Sequence, residues 1–300
     1  VQADVMIIGG GIAGLQASIQ LGRYARTVTV IDEGRGRSSL CRQYRNLLGW
    51  PDGVSGRWLR EAGREHAGDY GVDFIDKKAT RLVKEPSGFQ AQTEDGKTYR
   101  GKKLILATGV TDANPFPELE HCFGMSVYIC PDCDGYEIKG KRTLVLGSGS
   151  AGVGMALELV SWTDRLTYVN HGNHSVATEE EKKQLSEAGI RLREGMIDRV
   201  HMEGDQFTGV TFGDGEELQA EKAFIAFPGN VVHSDLAKQI GVERLENHHV
   251  LNHYRTKMTN IRDVWAAGDI AVHSEQVAIA MGEGTQAAVW VQRTLLQDET

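Results

Sequence analysis

The sequence predicts an α/β protein built from two Rossmann-like units, and three observations carry that prediction. First, a short apolar run at 4–8 (DVMII) ends in the turn Gly9-Gly10-Gly11-Ile12-Ala13-Gly14 and passes into a helical pattern with Leu15, Ile19 and Leu21 apolar. Second, the same order recurs: 143–147 (TLVLG) enters Gly147-Ser148-Gly149-Ser150-Ala151-Gly152 and then the helical stretch ALELV. Third, short strand patterns fill the remainder and no charged or low-complexity linker separates the halves.

Each element follows from its pattern. The run 28–32 (VTVID) reads as a buried strand whose terminal acid, Asp32, follows Gly14 by eighteen positions. That spacing brings a carboxylate to a ribose hydroxyl, while the glycines let a pyrophosphate approach the helix N-terminus. The alternation in 89–95 (FQAQTED) predicts a hairpin strand, and 103–109 (KLILATG) a buried strand meeting a turn. In the second unit, 166–170 (LTYVN) again ends eighteen positions after the last glycine, but on neutral Asn170. The hairpin pattern returns at 199–204 and 207–215, and 224–229 (FIAFPG) repeats the strand-and-turn of 103–109. The run 263–270 (DVWAAGDI) is a strand ending on Gly268-Asp269, and 275–296 reads as a long amphipathic helix.

Composition narrows the function classes. The chain has 300 residues, 40% hydrophobic and 25% charged, with a net charge of -8. No basic block occurs, which argues against nucleic acid and against anionic membrane surfaces. No apolar run of about 18 residues predicts a membrane span. No basic segment followed by an apolar one suggests a secretory signal, although the start at Val1 without a methionine leaves a processed precursor open. Thirty-six glycines suit backbones that approach phosphates. The four cysteines suit a reducing compartment and predict a cytoplasmic protein.

Two of those cysteines stand in the stretch ICPDCDGYE, at Cys130 and Cys133. Zinc needs four ligands, and Cys41 and Cys122 make no second pair with the required spacing, so no metal is expected. A purely structural bridge is disfavoured in a reducing compartment. A redox-active dithiol is the reading left. Two intervening residues let the sulfurs bond within one tight turn, and a thiolate at a helix N-terminus is favoured by free N–H groups. Pro131 restricts the loop and removes one amide donor. Asp134 is either an ordinary acid of a helix start or a proton partner for the thiolates, and the two roles are compatible. Cys41 and Cys122 read as small buried hydrophobes.

Together these residues resemble the low-molecular-weight thioredoxin reductase family over nearly the whole chain. IIGGGIAGL resembles its flavin glycine motif, with Asp32 at the ribose acid; NLLGWPDGVSG (46–56), LATG (106–109), GMSVYICPDCDG (124–135), WAAGDI (265–270) and EQVAIAMGEGTQAA (275–288) resemble five further segments in order. The resemblance implies an FAD domain at 1–114 plus 240–300 and an inserted pyridine-nucleotide-like domain at 115–239. It implies FAD contacts at Gly9, Gly11, Ile12, Ala13, Gly14, Asp32, Glu33, Asn46, Ala107, Thr108, Gly109, Gly268, Asp269, Gln276 and Val277. It assigns Cys133 to electron exchange with the flavin, Cys130 to the external disulfide, and Asp134 to proton transfer. A thioredoxin-like protein or a small disulfide or dithiol is the implied partner, and a homodimer the implied assembly.

The chain departs from the family at the electron donor. The family grips the NADPH 2′-phosphate with a His-Arg-Arg segment past the second strand; here 170–176 reads NHGNHSV, without arginine. A phosphate monoester calls for arginine forks or lysine charges, and near-neutral histidines replace neither. The family's glutamate on the helix after the second glycine turn is replaced by Gly154. The second nucleotide-like site (Gly147, Gly149, Ser150, Ala151, Asn170, His171) is therefore expected to be atypical or unused for NADPH. NADH, a second flavin, or a carrier protein such as ferredoxin are the alternative donors. The resemblance of Gly135-Tyr136-Glu137 to dithiol oxidases adds an FAD- and oxygen-dependent oxidase as an alternative activity, although those enzymes carry His where this chain has Asp134. A flavin redox sensor without turnover is the alternative of another class.

Overall fold

In the computed structural model, which describes residues 2–172, 177–271 and 275–300, the chain forms two compact units. The first comprises residues 1–39, 56–111 and 232–300, and the second residues 40–55 and 112–231. The expected division at 114 and 240 therefore falls instead at 111/112 and 231/232. Residues 40–55, expected in the first unit, cluster with the second. Hydrogen bonds hold them there: the Arg42 N–H donates to Phe123 O at 3.0 Å, and Arg45 Nη1 to Gly124 O at 2.8 Å.

The first unit is organised by a seven-stranded sheet. Strands Asp73–Asp76, Val28–Asp32, Gln2–Ile8 and Thr98–Leu106 run parallel in that order. The long strand Thr98–Leu106 pairs with Gly88–Thr93 along its first half and with Val264–Ala266 along its second. In register, Ile8 lies opposite Ile31 and Leu106, and Leu106 opposite Ala266. Four segments far apart in sequence thus end at one edge of the sheet: Gly9, Asp32, Ala107–Gly109 and Ala267–Asp269. That edge is where α/β sheets bind ligands, because the chain turns there and leaves helix N-termini facing outward.

Both faces of this sheet are covered. Val5, Ile7, Val30 and Trp265 pack with Leu21 of the helix Ile12–Arg23 and with Val291 and Leu295 of the helix Val277–Asp298. Met6, Ile8, Leu104 and Ala266 face Leu82, Phe89 and Val250 on the other side. Two-sided burial explains why these strands read as continuous apolar runs rather than alternating ones. Each fully buried Leu or Val contributes roughly 1.5–3 kcal/mol.

The second unit repeats the plan on a smaller scale. Strands Arg191–Glu194, Leu166–Asn170, Thr143–Gly147, Lys222–Ala226 and Val127–Tyr128 form a parallel sheet in that order, beside a three-stranded antiparallel meander over Ile197–Gln219. The helix Gly149–Leu159 is the crossover between the strands Thr143–Gly147 and Leu166–Asn170. Glu179–Glu187 is closed by a capping box, with Thr178 and Glu181 each bonding the other's backbone N–H. Among the described residues, no helix is long and apolar enough to cross a membrane.

The helices Ile12–Arg23 and Val277–Asp298 pack closely at Gly284, where an added Cβ would lie 2.2 Å from Ala13 O. Helix propensity alone favours alanine over glycine by about 1 kcal/mol. Both partners in this contact are backbone, so the clash has no flexible side chain to absorb it. Gly284→Ala is expected to lower stability by about 1–3 kcal/mol, measured by urea unfolding. An unchanged or raised midpoint would contradict this packing.

Candidate functional site

The sulfur pair sits where the edge strand Val127–Tyr128 of the second unit gives way to a short helix, Pro131–Asp134. Cys130 is the N-cap, in an extended conformation, and its Sγ accepts the Cys133 N–H at 3.1 Å. Its carbonyl accepts the N–H groups of Cys133 and Asp134 at 3.2 and 3.1 Å. Pro131 occupies the first helical position, where a missing N–H costs nothing. Cys130 and Cys133 form a disulfide with Cα atoms 5.3 Å apart, and both are half-buried. Opening the pair would leave Cys130 Sγ with a backbone donor already aimed at it, which favours its thiolate. Behind the turn, an added Cβ on Gly135 would lie 2.8 Å from the Trp162 ring, so the ring packs directly on the backbone.

Asp134 follows the second sulfur and is half-buried. Burial pushes its carboxyl up to about 7, and the nearby Glu137 carboxylate pushes the same way, against the opposing charges of Arg45 and Lys222. A carboxyl of this kind keeps its proton below about pH 7 and loses it above. Sequence reasoning picked out Asp134 but missed Glu137 and Arg45. The three-residue spacing of Asp134 and Glu137 was the available signal; no sequence signal pointed to Arg45.

The other two cysteines are chemically different. Burial, then the charge of Asp134, pushes the Cys41 thiol up to about 12. Burial also raises Cys122, which is inaccessible. Both are free thiols.

The first unit's glycine turn has the shape of a phosphate cradle. Gly9 has φ +103°, and a Cβ on Gly14 would lie 1.9 Å from Gly9 O, so turn and helix touch backbone to backbone. A Cβ on Gly11 would project into open space at the start of the helix Ile12–Arg23, whose N-terminus carries neither an acidic residue nor a side-chain cap. Ile12, Ala13 and Gly14 form that helix's first turn. These features fit a dinucleotide pyrophosphate.

Asp32 stands at the strand end as expected, but one of its oxygens is engaged: Arg60 Nη2 donates to Oδ2 at 2.6 Å, with both side chains buried. Glu33 points outward and pairs with Lys78 at 3.4 Å. Ala107 is buried, the Thr108 hydroxyl donates to His233 O, and Gly109 has φ +65°. The Gly268 N–H donates to Glu283 Oε2 at 3.0 Å, and Asp269 lies 3.2 Å from Arg37, which also pairs with Glu275. Gln276 caps the last helix and Val277 opens it, both half-buried. His249 Nδ1 is buried without a hydrogen-bond partner among the described residues. Asn46 is exposed on the 40–55 segment of the second unit. Sequence reasoning missed Arg37, Arg60 and Glu283, because isolated charges carry no motif.

The second glycine turn differs in what its own side chains do. Asn170 is buried, and its Oδ1 accepts the Gly149 N–H at 3.0 Å. The Tyr168 hydroxyl lies 2.9 Å from both Gly149 O and Asn170 Oδ1. Gly147 packs on Ala226, and an added Cβ on Gly152 would lie 2.2 Å from the Tyr168 ring. Ser150, beside Ala151 in the helix's first turn, and then the Thr178 capping bonds hold the Glu181 carboxyl below its ordinary range. His171 Nδ1 accepts the Ile197 N–H at 2.9 Å, and burial lowers its pKa, so it is neutral at pH 7. The nearby Lys182 faces Glu179 and Glu194 at 3.2 and 3.7 Å, and Lys183 faces Glu187 at 3.8 Å. The rest of the arginine-free stretch, 173–176, lies outside the described residues. Among the described residues this donor set does not fit a 2′-phosphate.

Comparison with known proteins adds the following. Residues 3–284 match the family described as pyridine nucleotide-disulphide oxidoreductase. The chain is 30% identical over 311 residues to the thioredoxin reductase tcpT of Claviceps purpurea, covering 98% of this chain and 95% of that one. It is 29% identical over 307 residues to the thioredoxin reductase of Aquifex aeolicus, covering 97% and 93%. Among solved structures, HlmI superposes with a TM-score of 0.88 at 27% identity, covering 99% of this chain and 94% of that one.

At pH 8 a thiol with a pKa of about 12 is ionised to about one part in ten thousand. After mild reduction, iodoacetamide is expected to label Cys130 and Cys133 at least ~100-fold faster than Cys41 or Cys122, read by peptide mass spectrometry. Labelling of Cys41 at the same rate would contradict its neutral state.

Proposed function

The chain belongs to the pyridine nucleotide-disulphide oxidoreductase family, and we propose that it is a thioredoxin reductase-like flavoenzyme in which Cys130 and Cys133 reduce an external disulfide. The observation that carries this reading is the Cys130–Cys133 disulfide, capped by a backbone N–H and followed by a carboxyl that holds its proton near neutral pH. FAD would be held in the first unit by the Gly9–Gly14 turn, the engaged Asp32 and the Gly268–Asp269 strand end. When bound it supplies the electron pair that opens the disulfide.

In the reduced protein, Cys130 thiolate attacks one sulfur of the substrate disulfide. A Cys130–substrate bond forms, the substrate S–S bond breaks, and the departing thiolate takes the Asp134 proton. Asp134 then accepts the Cys133 thiol proton while Cys133 attacks Cys130 Sγ. The internal disulfide forms, and the second substrate thiolate leaves with that same proton. Two electrons pass from the dithiol to the substrate, two thiols are released, and solvent returns the proton to Asp134. A thioredoxin-like protein or a small disulfide suits this chemistry, in keeping with the names of the relatives.

The donor reading is that this protein does not draw on NADPH through a phosphate clamp. A neutral His171, an Asn170 already bonded to Gly149, and a carboxylate on Ser150 oppose a dianionic phosphate. NADH, a second flavin or a ferredoxin-type carrier remain the donor classes to compare.

With FAD-loaded protein, stopped-flow mixing with NADPH is expected to bleach the flavin slowly and without saturation at micromolar concentrations, whereas dithionite bleaches it fully. Rapid saturable bleaching by NADPH would overturn the donor reading. Cys130→Ser and Cys133→Ser are each expected to abolish disulfide turnover while FAD stays bound. Turnover surviving in both would remove the dithiol assignment, and peroxide formed from a dithiol in air would favour the oxidase instead. Asp134→Asn is expected to slow reduction of an unactivated disulfide by about 10²–10⁴-fold. The wild-type rate should fall as pH rises through about 7, where Asp134 loses its proton.

A further inference from the structure

Asp134 does not stand alone. It ends the short helix Pro131–Asp134, and Glu137 lies in the next turn, Gly135–Ile138. Asp134 is the N-cap of that turn, three positions before Glu137. Arg45, from the 40–55 segment, sets Nε 3.5 Å from Glu137 Oε2, with both side chains about three-quarters buried. The guanidinium is fixed from its other edge, where Nη1 donates to Gly124 O and Nη2 to Gln43 Oε1. The second nearby cation, Lys222, spends its ammonium on Met125 O at 2.7 Å and on Tyr128 Oη at 3.1 Å. The remaining titratable groups facing Asp134 are the Cys41 thiol and the Tyr128 phenol, both driven toward their neutral forms by burial. The close guanidinium is thus held by Glu137, and a proton retained on Asp134 relieves the repulsion between the two carboxyls.

We propose that Glu137 and Arg45 are positioning residues that set when Asp134 releases its proton. Glu137 holds the proton on Asp134 by repulsion, and Arg45, anchored on Glu137, limits that hold so the proton can still leave for a thiolate. This rests on the reading of Asp134 as the proton donor. Glu137 touches no reacting sulfur in this scheme; it acts only through Asp134. The direction follows from charge: removing the Glu137 carboxylate favours ionised Asp134, and removing the Arg45 cation favours protonated Asp134.

The test uses dithionite-reduced, FAD-loaded protein in single turnover with bis(2-hydroxyethyl) disulfide, whose leaving thiolate needs a proton. The rate is followed against pH, and the Asp134 carboxyl is titrated by ¹³C NMR with Asp134→Asn for assignment. Glu137→Gln, which preserves shape and an acceptor for Arg45, is expected to move the alkaline limb and the carboxyl titration down together by about one pH unit. Glu137→Asp restores both toward wild type, and Arg45→Gln moves both upward. A limb that disappears in Asp134→Asn but stays put in Glu137→Gln overturns this proposal and leaves the donor assignment standing. A limb that persists unchanged in Asp134→Asn overturns the donor assignment, and this proposal with it. A uniform rate loss in Glu137→Gln at every pH, without movement of the titration, identifies a merely structural residue and also overturns the proposal.

Discussion

Parallel strand register is the constraint on which the rest of the first unit depends. Ile8 opposite Ile31 and Leu106, and Leu106 opposite Ala266, bring four chain segments to a common edge. A slip of one residue would turn every side chain to the opposite face of the sheet. Two-sided apolar burial resists that slip weakly on its own, since both faces are hydrophobic. The glycine contacts and the Lys257–Glu283–Gly268 chain of hydrogen bonds add the specificity. The cradle for a dinucleotide is a consequence of this alignment rather than a property of any one motif.

The second unit shows how the same turn can be put to other use. Its register is equivalent, with Gly147 opposite Asn170 and Ala226. There, however, a buried amide and a buried phenol hydroxyl satisfy the turn from within. Buried polar groups must find partners, and partners supplied by the protein compete with those a ligand would offer. The glycine turns of the two units share a backbone plan and differ in the side chains that surround them.

At the dithiol the decisive quantity is the local cost of charge. Cys130 Sγ has a backbone donor, so negative charge is favoured there; Asp134 is half-buried beside another carboxylate, so negative charge is resisted there. In the proposed reaction these two groups divide the labour, one keeping charge and the other keeping a proton. Cys41 lies within reach of the same field and is driven to its neutral form.

Much of this was legible in the sequence. Two glycine turns, each preceded by an apolar run and followed eighteen positions later by a strand end, determined the α/β class and the duplicated plan, because such turns admit few backbones. Cys130, Cys133 and Asp134 were legible because their chemistry is encoded at fixed short spacing. The missing arginines after Asn170 were legible for the same reason. The pairing of Asp32 with Arg60, of Asp269 with Arg37, and of Glu137 with Arg45 was not, since each joins residues that only folding makes neighbours. Nor was the placement of residues 40–55 with the second unit, which rests on hydrogen bonds from the Arg42 backbone and the Arg45 side chain to the carbonyls of Phe123 and Gly124. Sequence alone determined which groups could react; tertiary structure decided how strongly each holds its charge, because burial and neighbouring charges act through space.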